Sequence, residues 1–500
     1  MDFERIKKSI MARAKKYIPL LLLGFVVLPL SATNELLPIE ELKPLDVGAA
    51  PLDARSYHYG LSAANTYIND SATLKSGLFL GNYRPYFRLV YNERHLLNLR
   101  GRVIYNYNNS LSDAQRTAGS AASTGQYALE LANAEFNFDS HKLTAGRAFY
   151  KTGRGLLFAN FADGAEYTGQ FRYAKLTALA AYSAQYSGCT ISLGGCGFSG
   201  QIAQKGVYDV TPGRTIDANL PDAGKRIFTS LEAQSPQYFG SSAYAMLFYS
   251  HDLDTSVVGT TNAATGAKAG QRYTFNPVYM GLGFSGFIVT PRLRYLTEGI
   301  YEAGTTYNRV NELTGTSQRV NVSAWGITGD VNYAMPFLES VLKPGLIFQY
   351  ATGSGRQAKV ATGANPALPA QQNDTATDNN FFYFGYYSAG LALKPKLSNL
   401  HVFRAGLQFR PLLHYHWGRN FMTVLKYSYY LKHNADYVIS DPNAVVAKAD
   451  VGHGLDAQLV YDLSSDLKIF YAYGAFLPGA AYLPSAEVVQ IHVLSMNLVF

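Results

Sequence analysis

The sequence predicts an all-β chain: a transmembrane antiparallel β-barrel of about 18 strands, delivered by a cleaved signal peptide. Three observations predict it. The N-terminus has the form of a secretory signal. The remainder alternates apolar and polar residues with no second long apolar run. The composition joins 14% aromatic residues and 45 glycines to only 16% charged residues, at a mean hydropathy of −0.06. A soluble chain carries about a quarter charged residues. Barrel strands, which show one residue to lipid and the next to the lumen, average near neutral and gather aromatics at both interfaces.

Residues 1–32 read as the signal. Arg5, Lys7, Lys8, Arg13, Lys15 and Lys16 form its basic region, Tyr17 to Leu30 its apolar run, and Ser31-Ala32 a cleavage site. That run is shorter than the roughly 20 residues of a spanning helix. Residues 33–55 read as a periplasmic lead-in and residues 56–500 as the barrel in the outer membrane.

Within the barrel the period is two. In Asn98 to Tyr107, Leu99, Val103, Tyr105 and Tyr107 oppose Arg100, Arg102 and Asn106. Tyr167, Phe171 and Tyr173 oppose Glu166, Gln170 and Arg172. Leu293 and Tyr295 oppose Arg292, Arg294 and Glu298. Phe403, Leu407 and Phe409 oppose Arg404, Gln408 and Arg410. Phe421 to Leu431 opposes a face bearing Lys426 and Ser428. In Tyr127 to Phe138 the apolar parity switches midway, which predicts a bulge. Phe381 to Tyr387 is aromatic on both faces. Short turns are expected near Ala174-Lys175, Pro236 to Gly240, Gly283 to Gly286 and Ser464-Ser465. Long outer loops are expected over 187–225, 252–270, 302–318, 354–379 and 433–449. The last strand places Leu494, Met496 and Leu498 on the face of the terminal Phe500, an apolar strand with a terminal aromatic of the kind read by the barrel-assembly machinery.

Cys189 and Cys196 stand in one long polar loop. Export reaches an oxidising compartment, so a disulfide is expected. Six Lys/Arg and two Asp/Glu fall in residues 1–32, so the chain's net charge of +8 becomes +4 for the remainder. That mild excess suits an anionic solute or an anionic lipid surface such as lipopolysaccharide and points to no nucleic acid.

Several stretches, in order along the chain, resemble the alginate export family of outer-membrane barrels. They are Leu143 to Arg147 followed by Asp163-Gly164; Val322 to Trp325, Lys343 to Leu346 and Tyr350 to Gly353; Asn399-Leu400 leading to Arg410-Pro411; and Leu455-Asp456 through Tyr461, Phe470 to Phe476 and Pro478-Gly479. The resemblance covers roughly residues 140–500. This chain has Gly454 and Ser354 where the family pattern has acidic residues. The resemblance implies an eighteen-stranded barrel with an arginine-lined pore that passes an anionic polysaccharide such as alginate, handed on by a periplasmic export complex.

The candidate site is therefore the lumen. Arg100, Arg102, Arg172, Arg292, Arg294, Arg404, Arg410 and Lys426 sit opposite apolar residues and should face inward, since a charge on the lipid face near the midplane costs about 2–4 kcal/mol. Such a ring attracts anions. It could equally pair with lumen acids, among them Glu166, Glu232, Glu298 and Asp456, and hold the interior together. Enzymatic chemistry has no support. His414 and His416 form a pair with no third metal ligand in view, so no metal is expected. Gly353-Ser354-Gly355 has no phosphate-loop lysine, and no cofactor is expected. Two other readings stay open: a general or substrate-specific porin for small nutrients, and an adhesion or structural barrel with a plugged lumen.

Overall fold

The computed structural model describes residues 55–70, 74–91, 94–108, 123–183, 226–253, 257–261, 268–272, 275–308, 318–336, 341–355, 377–441 and 443–499. The expected signal peptide, nearly all of the lead-in, the two cysteines and Phe500 lie outside them.

The strands are β1 (Arg55–Asp70), β2 (Leu74–Tyr91), β3 (His95–Asn108), β4 (Ser123–Phe138), β5 (His141–Thr152), β6 (Phe158–Gln170), β7 (Lys175–Ser183), β8 (Arg226–Gln234), β9 (Ser241–Asp252), a small hairpin β10 (Val257–Thr261) and β11 (Lys268–Arg272), β12 (Asn276–Phe287), β13 (Leu293–Asn308), β14 (Gln318–Ala334), β15 (Gly345–Gly353), β16 (Thr377–Asp378), β17 (Leu400–Phe409), β18 (Phe421–Lys432), β19 (Asp450–Asp462), β20 (Leu467–Pro478) and β21 (Val489–Val499). One sheet holds nineteen of them. The two-residue β16 runs parallel to β14 at its outer end; the other eighteen are antiparallel and close into a barrel through β1–β21, from Ser62↔Val499 to Asp70↔Ile491. Closure leaves no free edge in the hydrocarbon, which is what a spanning sheet requires.

Both strand ends of the chain, Arg55 and Val499, lie at the end that carries the short turns 92–94, 139–140, 171–174, 288–292 and 463–466. Long connections crowd the opposite end. Short periplasmic and long extracellular connections orient the barrel. The outward faces carry large exposed apolar residues, such as Leu97, Leu99, Leu247, Leu282, Leu425, Leu455, Leu494 and Met496.

One expected turn is absent. Gly283 to Gly286 lies inside β12, and the turn follows at 288–292. Those glycines serve close packing instead. A Cβ on Gly283 would stand 2.1 Å from the inward Tyr244 ring, and one on Gly281 would be 2.3 Å from Met246 Cε. Glycine in a strand marks a close approach as often as a turn.

The core is in the lumen. Residues 377–399, between β15 and β17, fold into the barrel rather than standing above it. Their aromatic run Phe381 to Phe384 packs on inward Phe158, Phe228, Phe248, Phe275 and Tyr279. Leu391 reaches the far wall at Ile68, Val460, Phe470 and Ile491. This explains the aromatic residues on both faces: the run is an inner segment with packing all round, not a barrel strand. The tip of the β5–β6 hairpin also turns inward. Pairing of β4 with β5 ends at Ala132↔Arg147, while β5 pairs with β6 as far as Thr152↔Phe158. Leu156 and Leu157 then join the aromatic core.

Candidate functional site in the lumen

The β2–β4 wall carries the densest charge. Arg84 on β2 and Arg100 and Arg102 on β3 point inward, each under a tenth exposed. All three converge on Glu130: Arg100 Nε at 2.7 Å, Arg84 Nε at 3.1 Å and Arg102 Nη1 at 3.8 Å. Glu130 is the bulge residue. The β3–β4 register shifts between Arg100↔Leu131 and Gly101↔Leu129, so the extra residue between them turns its side chain into the lumen while Leu129 stays outside. This is the parity switch expected within Tyr127 to Phe138. Among the described residues these three guanidiniums meet on one carboxylate. Arg102 Nε also donates to Asn82 Oδ1 at 3.1 Å, and the Arg100 guanidinium lies 5.8 Å above the Phe161 ring of the inward-leaning hairpin.

The other predicted residues separate into two groups. Arg404 and Lys426 are inward and buried. Arg404, however, holds the inner segment. Its Nη1 donates to Ser388 O at 2.9 Å and Gln349 Oε1 at 3.1 Å, its Nη2 to Ala389 O, and its Nε to Ser428 Oγ at 3.0 Å. Lys426 stands opposite Asp456 in the β18–β19 register, and Asp456 accepts the Leu391 N–H at 3.1 Å. Arg172, Arg292 and Arg410 do not lie on strands. Arg172 is exposed in the β6–β7 turn with its guanidinium over Tyr173, Arg292 is exposed in the β12–β13 turn, and Arg410 follows β17 and donates to Arg419 O. Arg294 begins β13 at the periplasmic rim, exposed, with its guanidinium 5.3 Å from the Phe287 ring centroid. Alternation carries on smoothly through a strand end, so it placed these four in the bore when they belong to its periplasmic margin. His414 and His416 are likewise exposed in the β17–β18 turn.

Besides Arg84, two lumen arginines among the described residues escaped the sequence reading. Arg226 on β8 is fully buried. It pairs with Asp252 at 2.7 Å, donates to Phe275 O at 2.8 Å and lies against the Phe275 and Phe384 rings. Arg154, at the tip of the β5–β6 hairpin, reaches Asp330 at 2.6 Å and Thr328 Oγ1 at 3.1 Å, while Gly153 N donates to Glu232 Oε2 at 2.8 Å. Alternation in Asn82 to Tyr91 would have found Arg84; nothing local marks Arg154, which acts from a turn. The lumen acids thus bind other partners than a general charge balance suggests. Glu298 is buried in the lumen beside Gly153 and Tyr244.

The inner segment is held along its length. Phe384, Gly385 and Tyr386 N–H groups donate to Leu157, Leu156 and Gly155 carbonyls at 2.9–3.0 Å, and Phe382 N to Glu302 Oε2 at 2.8 Å. Its end is clasped by Asn399, whose Nδ2 meets the carbonyls of Asn434, Tyr437 and Val438 at 3.0–3.1 Å. Lys396, in the same segment, is pushed down to about 8 by burial.

The two departures from the family pattern have local causes. Ser354 anchors both ends of the described inner segment: its carbonyl accepts from Phe381 N and Asn399 N, and its Oγ from Trp325 N at 2.9 Å. At Gly454 an added Cβ would meet Tyr430 Oη at 2.8 Å, the hydroxyl that donates to Ala389 O of the inner segment.

With this geometry in view, likeness to known proteins falls into place. A family model described as alginate export matches residues 225–491, more than half of the chain. No curated protein sequence matches it. Among solved structures, OccK8 (OprE) of Pseudomonas aeruginosa superposes with a TM-score of 0.52 at 8% identity, covering 89% of this chain and 98% of that one. OpdK of the same organism, crystallised with vanillate, gives 0.50 at 9% identity with the same coverage. At such identity the likeness is one of fold. The chain belongs to the alginate export family, as a porin-like β-barrel of the outer membrane.

Proposed function

We propose that this barrel is a passive channel for anionic solutes and that it exports an anionic polysaccharide supplied by a periplasmic export complex. One observation carries the reading: Arg84, Arg100 and Arg102 gathered on the single Glu130. Arginine holds carboxylates through paired N–H donors, and a wall that gathers guanidiniums draws anions. A carboxylated chain moves along such a wall by exchanging one carboxylate for the next. The family membership supports export. Assembly by the barrel machinery through Phe500, and contact of the outer aromatic belt with lipopolysaccharide, belong to the same proposal.

The inner segment favours a second reading. Aromatic packing across the lumen narrows the bore, which suits a porin selective for small nutrients. Single-channel recording with acidic oligosaccharide on the periplasmic side separates the two. The export reading expects transient blocks whose frequency rises with oligosaccharide concentration and falls with added salt, and no block by a neutral oligosaccharide of equal length. Equal block by both, or block by neither, contradicts export of an anionic chain. A folded barrel that conducts no ions contradicts the channel reading and leaves the plugged adhesion barrel.

A further inference from the structure

On the outward face, at the extracellular end, four neighbouring elements bring aromatic nitrogen ligands together. His401 lies on β17 and His433 immediately after β18. His433 Nδ1 is 3.2 Å from His401 Nε2. On its other side His401 Nδ1 stands 3.1 Å from Tyr350 Oη of β15. The Trp325 ring of β14 meets His433 edge-on, at 5.4 Å and 84°. His433 is exposed and His401 half-buried.

We infer that His401 Nε2 and His433 Nδ1 form a two-imidazole site for a divalent transition metal ion, copper(II) ahead of zinc, on the outer rim of the barrel. Metal–imidazole bonds of about 2.0–2.1 Å at square-planar to tetrahedral angles hold two nitrogens roughly 2.9–3.4 Å apart. The 3.2 Å separation falls within that span. Tyr350 completes the arrangement: with the His401 proton on Nδ1 and donated to Tyr350 Oη, Nε2 keeps its lone pair for the metal, the usual way an outer partner fixes a ligand's tautomer. Among the described residues no group of three or more His, Cys, Asp or Glu gathers to hold a metal. With two protein ligands in place, the site is exchangeable rather than structural. Copper(II) leads because it stands highest in affinity for nitrogen ligands among the divalent first-row ions. The pair also has a structural consequence. A shared ion ties β17 to the start of the β18–β19 loop, the loop whose Asn434, Tyr437 and Val438 carbonyls hold Asn399 and whose Ser440 Oγ accepts from Lys396 N. Metal binding thus braces the clasp on the inner segment.

The chain has two tryptophans. Trp325 is at the site and Trp417 is in the β17–β18 turn at the periplasmic end, so paramagnetic quenching reads the site directly. Untagged full-length protein, folded in detergent, is titrated with copper(II) chloride while tryptophan fluorescence is followed. The expected result is saturable quenching that persists in Trp417→Phe. The midpoint should rise about tenfold or more in His401→Ala and in His433→Ala, both checked for folding by heat-modifiable migration, and stay unchanged in the His414→Ala/His416→Ala double variant. Zinc should raise the thermal midpoint of the native barrel, since a ligand of the folded state stabilises it, but not that of His433→Ala. Linear, unsaturated quenching in the native protein overturns the site, as does a midpoint in either single variant that equals the native one; the two nitrogens then share only a hydrogen bond.

Discussion

Three guanidiniums gather on Glu130 because one extra residue in β4 turns that carboxylate inward. Both halves of this arrangement were legible: alternation placed Arg100 and Arg102 in the lumen, and the parity switch announced the bulge. The same rule misplaced Arg172, Arg292, Arg294 and Arg410, since side-chain parity says which face a residue takes but not where the strand stops. It was silent on Arg154, whose role depends on a hairpin tip bending into the barrel. Lys396 shows a different dependence on surroundings, and its titration is measurable. The folded chain releases the Lys396 proton near pH 8, while the unfolded chain keeps it to the ordinary 10.5. Between these values the unfolded state binds more protons, so this lysine's contribution makes stability rise with pH, and its cost is fully present below pH 8. The thermal midpoint of heat-modifiable migration should therefore climb from pH 8 to 10 more steeply in the native barrel than in Lys396→Met. Parallel profiles for the two proteins would show that the ammonium is not desolvated.

At the scale of elements, the inner segment was the hardest part to read. Phe381 to Tyr387 breaks alternation because packing surrounds it, and a sequence rule built on two faces has no place for a strand-like run with none to spare. Gly283 and Gly286 imitate a turn for a related reason: a missing side chain signals crowding, here by Tyr244 and Ser241, as well as chain reversal. The segment's restraint is concentrated at Arg404, which donates to two of its carbonyls from a site buried in the wall. Replacing Arg404 with Met removes those bonds and leaves Lys426 as the cation beside Asp456. The barrel should still fold, because its outer face and ladder are untouched. Single-channel records should show larger and noisier conductance as the segment loosens. Conductance and noise equal to the native channel's would mean that the Phe384 to Tyr386 ladder holds the segment without Arg404.

For the whole molecule, strand number and orientation followed from simple constraints: even closure, short turns at one end and an apolar belt outside. Pairing of each consecutive neighbour followed from the short turns. The filling of the lumen did not, because contacts between Leu391 and Ile68 or between Phe384 and Phe228 join residues far apart in sequence that no local pattern links. The guanidiniums of β2 and β3 should set the ion preference of the bore. The reversal potential across a planar bilayer under a potassium chloride gradient tests it most directly, comparing the native channel with the Arg84→Gln/Arg102→Gln variant, which keeps the Arg100–Glu130 pair intact. The native channel should prefer chloride. The variant should shift toward potassium, most strongly below 0.1 M salt, where the screening length exceeds about 10 Å. A native channel that prefers potassium, or a variant whose reversal potential matches the native value at low salt, would contradict it.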